Sequence, residues 1–236
     1  MLANLLTTPP ERWVIVEPRF ANASTGPDVL DQARSFGWDL GGEHWRLAPG
    51  EDALQRIHRL FQARLGGLKK WGFKEVRSEL FRQSVELLRP RQTVVLVRDL
   101  RDVAVSLHAK MIRDDKPNYD EVWLRDYLTK TPSAIVDLTR DVEQLDHMVV
   151  RYEDFVRATE VRVKMARWAG WPLDGAPDRN LARVFGRERE VALHEGVVTE
   201  KALARHRGAD VSEEARAVAA WAHEVGSQYQ ERFGYA

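Results

Sequence analysis

One stretch of the sequence decides the fold: TVVLVRDLRDVAVSL, residues 93–107. Five uncharged, mostly β-branched residues run directly into Arg98 and Asp99, which is typical of a strand that is buried on both faces and ends at the rim of a parallel sheet. In open α/β sheets, ligands bind beyond the carboxyl ends of the strands. The stretch therefore predicts a strand, a loop and a helix, with a ligand site at the loop.

A helix is predicted after the loop, because Val103, Leu107 and Met111 recur every fourth residue and Asp99 or Asp102 is placed to cap the first turn. The start of a helix offers unpaired backbone N–H groups and the positive end of its dipole. This helix start is therefore expected to suit an anion such as phosphate.

Arg98 and Ser106 flank the helix start and are eight positions apart. A tight loop would bring the guanidinium and the hydroxyl group to the same phosphate, with the guanidinium making a paired contact. The alternative is an ordinary junction in which Arg98 pairs with Asp99 or Asp102. The stretch alone leaves both interpretations open.

The composition narrows the class of protein. With 236 residues, one α/β domain spanning 1–236 is the default. Lys plus Arg equals Asp plus Glu at 36 each, so no overall field favours nucleic acid or an anionic membrane as a partner. There is no cysteine, and the seven His residues show no metal-ligand spacing, so we expect no metal cofactor.

The sequence carries no signal for a membrane. No apolar run approaches the roughly 20 residues that cross a bilayer. Residues 1–6 lack the basic flank and the length of a signal peptide. The expected location is cytoplasmic.

Hydrophobic patterns and turn residues predict the remaining elements. Strands are predicted at 13–16, 70–76 and 147–152, and helices at 1–7, 28–36, 51–65, 78–88, 118–145 with a break at Thr131-Pro132, 159–168 and from Ser212 onwards. Residues 20–50 are expected to form a loop-rich insertion, and the arginine-rich residues 178–208 a loop or lid. The last helix is expected to face the core with Ala215, Val218, Ala219, Ala222, Val225 and Tyr229.

Three strands bring ionisable groups to one rim of the predicted sheet. Glu17 and Arg19 follow the first strand, Lys74 and Glu75 end the second, and Arg98 ends the third. Their convergence predicts a binding crevice. For Arg19 and Glu75, a structural ion pair is the leading interpretation.

Residues 93–107 resemble the 3′-phosphate-binding segment of the sulfotransferases that use 3′-phosphoadenosine 5′-phosphosulfate (PAPS), whose pattern is similar to V-R-D-P-R-D-V-x-V-S. Leu100 stands where proline is usual. The resemblance implies that Arg98 and Ser106 bind the 3′-phosphate of the nucleotide.

Two further segments resemble the catalytic part of this family. Residues 71–77, WGFKEVR, look like the segment that carries a lysine beside the transferring sulfuryl group. Glu17-Pro18 is similar to the Glu-Pro of carbohydrate sulfotransferases, and Glu17-x-Arg19 to the Glu-x-Arg of tyrosylprotein sulfotransferases. The resemblance implies that Glu17 is the general base and that Lys74 stabilises charge on the bridging oxygen.

Two later segments resemble parts of the family that contact the nucleotide. Residues 149–155, VVRYEDF, resemble an R-Y-E-D-L segment, which implies that Tyr152 contacts the adenine; a half-buried core tyrosine is the alternative. Residues 196–207 look like the basic loop that folds over the nucleotide, which implies that Lys201 and Arg205 bind the cofactor. A solvated basic loop is the alternative there.

One family motif is not found in these 236 residues, the P-R-S-G-T-T loop that holds the 5′-phosphosulfate. Residues 1–6 look like the helix that follows this loop. The resemblance therefore implies a three-layer α/β/α, P-loop NTPase-like sulfotransferase fold with a parallel sheet. It also implies that the N-terminal strand and the phosphate loop fall before residue 1, so the activity of the printed chain is in question.

The expected function is transfer of a sulfuryl group from PAPS to a hydroxyl group of a carbohydrate or small natural product. The first alternative is a non-catalytic protein that binds a 3′-phosphoadenosine nucleotide. A phosphoryl-transferring kinase would need a G-x-x-x-x-G-K-[ST] loop, which these residues do not contain. Nucleic-acid binding is disfavoured because the basic run at 201–207 is short and the net charge is zero.

Overall fold

The computed structural model describes residues 6, 11–16, 33, 50, 55, 65–74, 84–86, 89–114, 120–171, 200 and 203–235. Its elements in chain order are β1 (Arg12–Val16), β2 (Lys70–Lys74), β3 (Gln92–Val97), α1 (Leu100–Asp114), α2 (Glu121–Asp141), a 3₁₀ turn (Val142–Gln144), β4 (Asp146–Arg151), α3 (Tyr152–Arg157), α4 (Thr159–Trp168), a second 3₁₀ turn (Arg205–Arg207), α5 (Glu213–Val225) and α6 (Ser227–Arg232).

Several predicted segments fall wholly or mostly outside the described residues. The insertion at 20–50 and most of the lid at 178–208 belong to this group. Of the helices predicted before β1, between β1 and β2, and at 78–88, only residues 6, 33, 55, 65 and 84–86 are described, and they are helical.

The predicted α/β class is confirmed, because helices occur together with parallel strand pairs. β1 pairs with β2 and β3 pairs with β4, both in parallel. Among the described residues these pairs are two separate two-stranded sheets. The chain groups into two compact units, residues 1–90 with 160–198 (unit 1) and residues 91–159 with 199–236 (unit 2). The single domain expected from the sequence stays a prediction.

Unit 1 is built on the β1–β2 pair and α4. Trp13 and Ile15 of β1 are fully buried, as the apolar run at 13–16 predicts. Gly72 of β2 lies against the ring of Trp171. The indole N–H of Trp171 donates to the carbonyl oxygen of Leu6. The helix α4 is followed by a glycine with positive φ, Gly170, which is typical of a helix C-terminus.

Unit 2 begins with β3, which alternates in burial along its length. Thr93, Val95 and Val97 are buried, while Leu96 between them is 38% exposed. The parallel partner β4 returns after α1 and α2, so this unit contains a strand–helices–strand crossover. β3 and β4 end side by side, because Val97 is the register partner of Arg151. The residues that follow them, Arg98 and Tyr152, therefore lie at the same edge.

The core of unit 2 lies among three helices. α1, α2 and α5 bury a cluster of small and branched side chains, Ala104, Val105, Leu124, Leu128, Ala215, Ala219 and Ala222. The predicted stripe of α1, Val103, Leu107 and Met111, packs against this cluster. Small alanines on α5 allow close approach of α1. The side chain of Ser212 accepts from the backbone N–H of Ala215, which confirms the predicted start of α5.

The predicted break at Thr131-Pro132 is wrong, because α2 runs through it from Glu121 to Asp141. Proline removes one backbone donor and disfavours helical backbone in the residue before it. In α2, however, Leu128, Pro132 and Val136 are all buried and lie on one face at intervals of four residues. Packing of this face keeps the helix continuous.

The last predicted helix is divided in two. α5 ends at Val225, and α6 starts at Ser227 after Gly226. A Cβ at position 226 would overlap a methyl group of Leu100, so any other residue there would require the Leu100 side chain to move. The bend leaves Val225 43% exposed, so its predicted place in the core is wrong, whereas Tyr229 is buried as predicted.

Among the described residues, no helix is both long enough and apolar enough to cross a bilayer.

Candidate functional site at the start of α1

The loop between β3 and α1 is held by side chains from later in the chain. The backbone N–H groups of residues 98–100 donate, in order, to the hydroxyl oxygen of Tyr229 at 2.9 Å, a carboxylate oxygen of Glu153 at 3.1 Å and the amide oxygen of Gln230 at 3.3 Å. The expectation of unpaired N–H groups at this helix start is therefore wrong. The fold itself supplies acceptors for them, since buried backbone donors need partners.

Asp99 caps α1, and Asp102 does not. A carboxylate oxygen of Asp99 accepts from the backbone N–H of Arg101 at 2.9 Å, and the Arg101 guanidinium makes further hydrogen bonds to both carboxylate oxygens. Burial acts to raise the pKa of Asp99, but hydrogen bonds from Arg101 and Gln230 outweigh it and hold the pKa below its usual value. Asp99 is thus a structural anion within the loop.

The guanidinium of Arg98 lies over the ring of Tyr152, 4.9 Å from the ring centroid. This is a cation–π contact. It forms because Tyr152 is the first residue of α3 and directly follows β4, the strand that pairs with β3. The guanidinium is also 3.9 Å from a carboxylate oxygen of Asp102, which is an ion-pair distance longer than a hydrogen bond. Of the two pairings that the sequence left open, the structure contains the one with Asp102.

Arg205 acts electrostatically on the same tyrosine. Burial raises the pKa of Tyr152, while the positive charges of Arg98 and Arg205 act to lower it and the carboxylates of Glu153 and Asp102 act to raise it. Arg205 itself is exposed, in the second 3₁₀ turn. Three of the residues predicted to bind the nucleotide, Arg98, Tyr152 and Arg205, are therefore brought into one neighbourhood.

A histidine attaches this 3₁₀ turn to α1. One oxygen of Asp102 accepts from Nδ1 of His206 at 2.7 Å and from the backbone N–H of His206 at 3.2 Å. The side chain of Asp102 is 1% exposed, so the carboxylate is removed from bulk water. We call the group of Arg98, Asp102, Tyr152, Arg205 and His206 the Arg98 cluster.

Ser106 lies on the same helix face as Asp102. The two residues are four positions apart in α1, which places them one turn apart on one side of the helix. Ser106 is half-buried. Arg98, Asp102 and Ser106 thus follow one another at intervals of four residues, from the loop after β3 into the first turns of α1.

The sequence interpretation named Asp102 only as a cap or an ion-pair partner of Arg98, and it did not single out His206. Asp102 stands midway between Arg98 and Ser106 at intervals of four residues, and this spacing could have indicated that Asp102 belongs to the site. For His206 the sequence offered only its place between two arginines, and the partner carboxylate is 104 positions away.

The predicted catalytic pair is only partly described. Lys74 is exposed at the end of β2 and is the register partner of Val16, the last residue of β1. Glu17 follows Val16 in the chain but lies outside the described residues, as does the predicted cofactor ligand Lys201. In the part of the chain that the structure describes, no three His, Asp or Glu side chains form a group that could hold a metal ion.

Comparison of the chain with protein-family models, with curated proteins and with solved structures finds no match.

Proposed function

We propose that this chain is a PAPS-dependent sulfotransferase of the three-layer, P-loop NTPase-like kind, and that the Arg98 cluster of unit 2 binds the 3′-phosphate end of the nucleotide. The single observation that carries the proposal is the guanidinium of Arg98 over the ring of Tyr152, with Arg205 within electrostatic reach. The proposal keeps the cytoplasmic location expected from the sequence.

The charges of the cluster suit a phosphate. Arg98 and Arg205 contribute two positive charges, and Asp102 offsets one of them. A guanidinium binds phosphate through paired, charge-assisted hydrogen bonds. Asp102 and the Tyr152 ring both restrain the Arg98 side chain, which reduces the entropy lost when a ligand binds. Ser106 supplies a hydroxyl donor one turn further along the same face.

The backbone of the loop has a supporting role in this proposal. Its N–H groups at residues 98–100 already donate to protein acceptors. The phosphate would therefore be held by side chains, while the paired backbone keeps Arg98 in place. Phosphate binding should therefore depend more strongly on Arg98 than it would in a loop whose backbone N–H groups were free to bind the phosphate.

The transfer step rests on the resemblance of the sequence. The acceptor hydroxyl oxygen attacks the sulfur of PAPS, and the bond from sulfur to the bridging phosphate oxygen breaks. Glu17 takes the hydroxyl proton, and Lys74 stabilises the negative charge on the leaving oxygen of 3′-phosphoadenosine 5′-phosphate (PAP). A carbohydrate or small natural product is the proposed acceptor.

Calorimetric titration with PAP tests the proposal. The unaltered protein is expected to bind PAP, and Arg98→Ala to weaken binding by at least about tenfold. Arg91→Ala is the matched control, because Arg91 is exposed, precedes β3 and lies outside the cluster. Equal affinity of all three proteins would refute the phosphate assignment.

A second measurement separates transfer from binding alone. We expect PAPS to be converted to PAP in the presence of a panel of hydroxylated acceptors, and Lys74→Ala to slow this conversion. Binding of PAP with no conversion of PAPS would instead identify a non-catalytic nucleotide-binding protein.

A further inference from the structure

One carboxylate oxygen joins the Arg205–Arg207 turn to α1 by two hydrogen bonds. Asp102 Oδ1 accepts both from the backbone N–H and from the ring of His206. The other oxygen of Asp102 faces the Arg98 guanidinium at 3.9 Å. A single buried carboxylate therefore links Arg98, the residue after β3, to a turn more than 100 positions later.

The hydrogen bonds of His206 select one form of its ring. Nδ1 lies against the Asp102 carboxylate, which can only accept, so Nδ1 carries the proton. Nε2 accepts from the guanidinium of Arg207 at 3.3 Å. A neutral imidazole protonated at Nδ1 satisfies both contacts, and the ring is thereby fixed between α1 and its own turn.

The Arg205–Arg207 turn begins after a residue with an unfavourable backbone conformation. Ala204, the residue before it, has φ 50° and ψ 31°, a left-handed conformation that alanine adopts at an energetic cost. Within the turn, the backbone N–H of Arg207 donates to Ala204 and that of Gly208 donates to Arg205. These contacts shape the turn, whereas the His206–Asp102 contact attaches it to α1.

From this geometry we infer that His206 is a positioning residue for the nucleotide 3′-phosphate: by binding Asp102 it holds the turn that carries Arg205 against the start of α1, within electrostatic reach of Tyr152. The inference rests on the proposed function of the Arg98 cluster. It adds a residue that has no need to touch the ligand and that acts through the placement of Arg205.

Two substitutions of His206 separate the hydrogen bond from the bulk of the ring. In His206→Asn the amide nitrogen reaches the position of Nδ1, so the donor to Asp102 is kept. In His206→Gln the amide nitrogen instead reaches the position of Nε2, and the donor to Asp102 is lost. We expect His206→Asn to bind PAP within about twofold of the unaltered protein and His206→Gln to bind it about tenfold more weakly.

A double-mutant cycle with Arg205 tests whether His206 acts through that side chain. If it does, adding His206→Gln to Arg205→Ala causes no further loss of PAP affinity. Additive losses, equal losses in the Asn and Gln variants, or unchanged affinity in His206→Gln would each overturn the inference.

A measurement on the unaltered protein keeps the test valid if a variant fails to fold. In ¹⁵N-histidine-labelled protein, the tautomer of His206 is read from ¹⁵N shifts, with His206→Asn identifying the signal. Protonation at Nδ1 supports the inference, and protonation at Nε2 alone overturns it.

Arg98→Ala distinguishes this inference from the proposed function. PAP binding that is lost in Arg98→Ala and kept in His206→Gln overturns the positioning role alone. If the unaltered protein does not bind PAP, the proposed function fails, and the role of His206 in ligand binding fails with it.

Discussion

The hydroxyl group of Tyr229 is hydrogen-bonded to both backbone groups of Arg98: it accepts from the N–H at 2.9 Å and donates to the carbonyl oxygen at 2.9 Å. The two residues are 131 positions apart in the chain. Tyr229 lies in α6 and is 2% exposed. The helix near the end of the chain is therefore part of the support for the candidate phosphate site.

Removal of this hydroxyl group should destabilise unit 2. Tyr229→Phe leaves the N–H and the carbonyl of Arg98 without their partner in a partly buried place, so we expect a loss of about 1–3 kcal/mol in the free energy of unfolding. Urea denaturation measures it. Equal stability of Tyr229→Phe and the unaltered protein would contradict the structural role.

Alkaline pH should destabilise the protein through two tyrosines. Burial raises the pKa of Tyr229, and burial together with donation to Glu153 raises the pKa of Tyr235. Because the folded pKa of each lies above the ordinary value of about 10, their contribution is fully present below about pH 10 and is lost as the pH rises above it. Urea denaturation between about pH 9 and 11 measures the expected fall in the free energy of unfolding.

The control for alkaline destabilisation is the pair of single variants Tyr229→Phe and Tyr235→Phe. Each removes one group that titrates, so each should flatten the fall in stability above about pH 10. If neither substitution changes how steeply the stability falls with pH, other titrating groups cause the alkaline destabilisation.

The ring of Tyr152 is expected to matter more than its hydroxyl group for PAP binding. Tyr152→Phe keeps the aromatic face under Arg98 and should bind PAP about as well as the unaltered protein. Tyr152→Leu removes the cation–π contact and should bind roughly three- to tenfold more weakly. Calorimetric titration compares them, and equal affinity of the Phe and Leu variants would exclude the ring as a support for Arg98.

Acid should weaken the cap of α1. The pKa of Asp99 is lowered, so its contribution is present above the ordinary value of about 3.9 and is lost as the pH falls through the lowered pKa. Asp99→Asn still offers a capping oxygen but loses the charge facing Arg101. We expect it to be about 1–2 kcal/mol less stable than the unaltered protein at pH 7, with the difference shrinking in acid. A difference independent of pH would contradict this account.

Local patterns in the sequence were enough to place several elements. The β-branched run before Arg98 predicted β3, the interval of four among Val103, Leu107 and Met111 predicted α1, and Ser212 predicted the start of α5. These signals work because strand and helix periodicity and helix capping depend on residues only a few positions apart.

Pro132 and Gly226 show where local patterns fail. Proline predicted a break that the buried face of α2 overrides, and the alanine-rich stripe predicted one helix where the chain bends at Gly226, which packs closely against Leu100. In both cases the decisive contacts come from another element, and contacts between elements outweigh local propensity.

The sequence by itself therefore determined the α/β class and the strand that precedes Arg98, and it predicted the candidate ligands Arg98, Ser106, Tyr152 and Arg205. Only the tertiary structure decided what surrounds them. It showed that the loop amides are occupied by side chains from α3 and α6, and that His206 reaches Asp102. The physical reason is distance along the chain: hydrogen-bond partners more than 50 positions apart leave no periodic signal, and only packing of the folded chain brings them together.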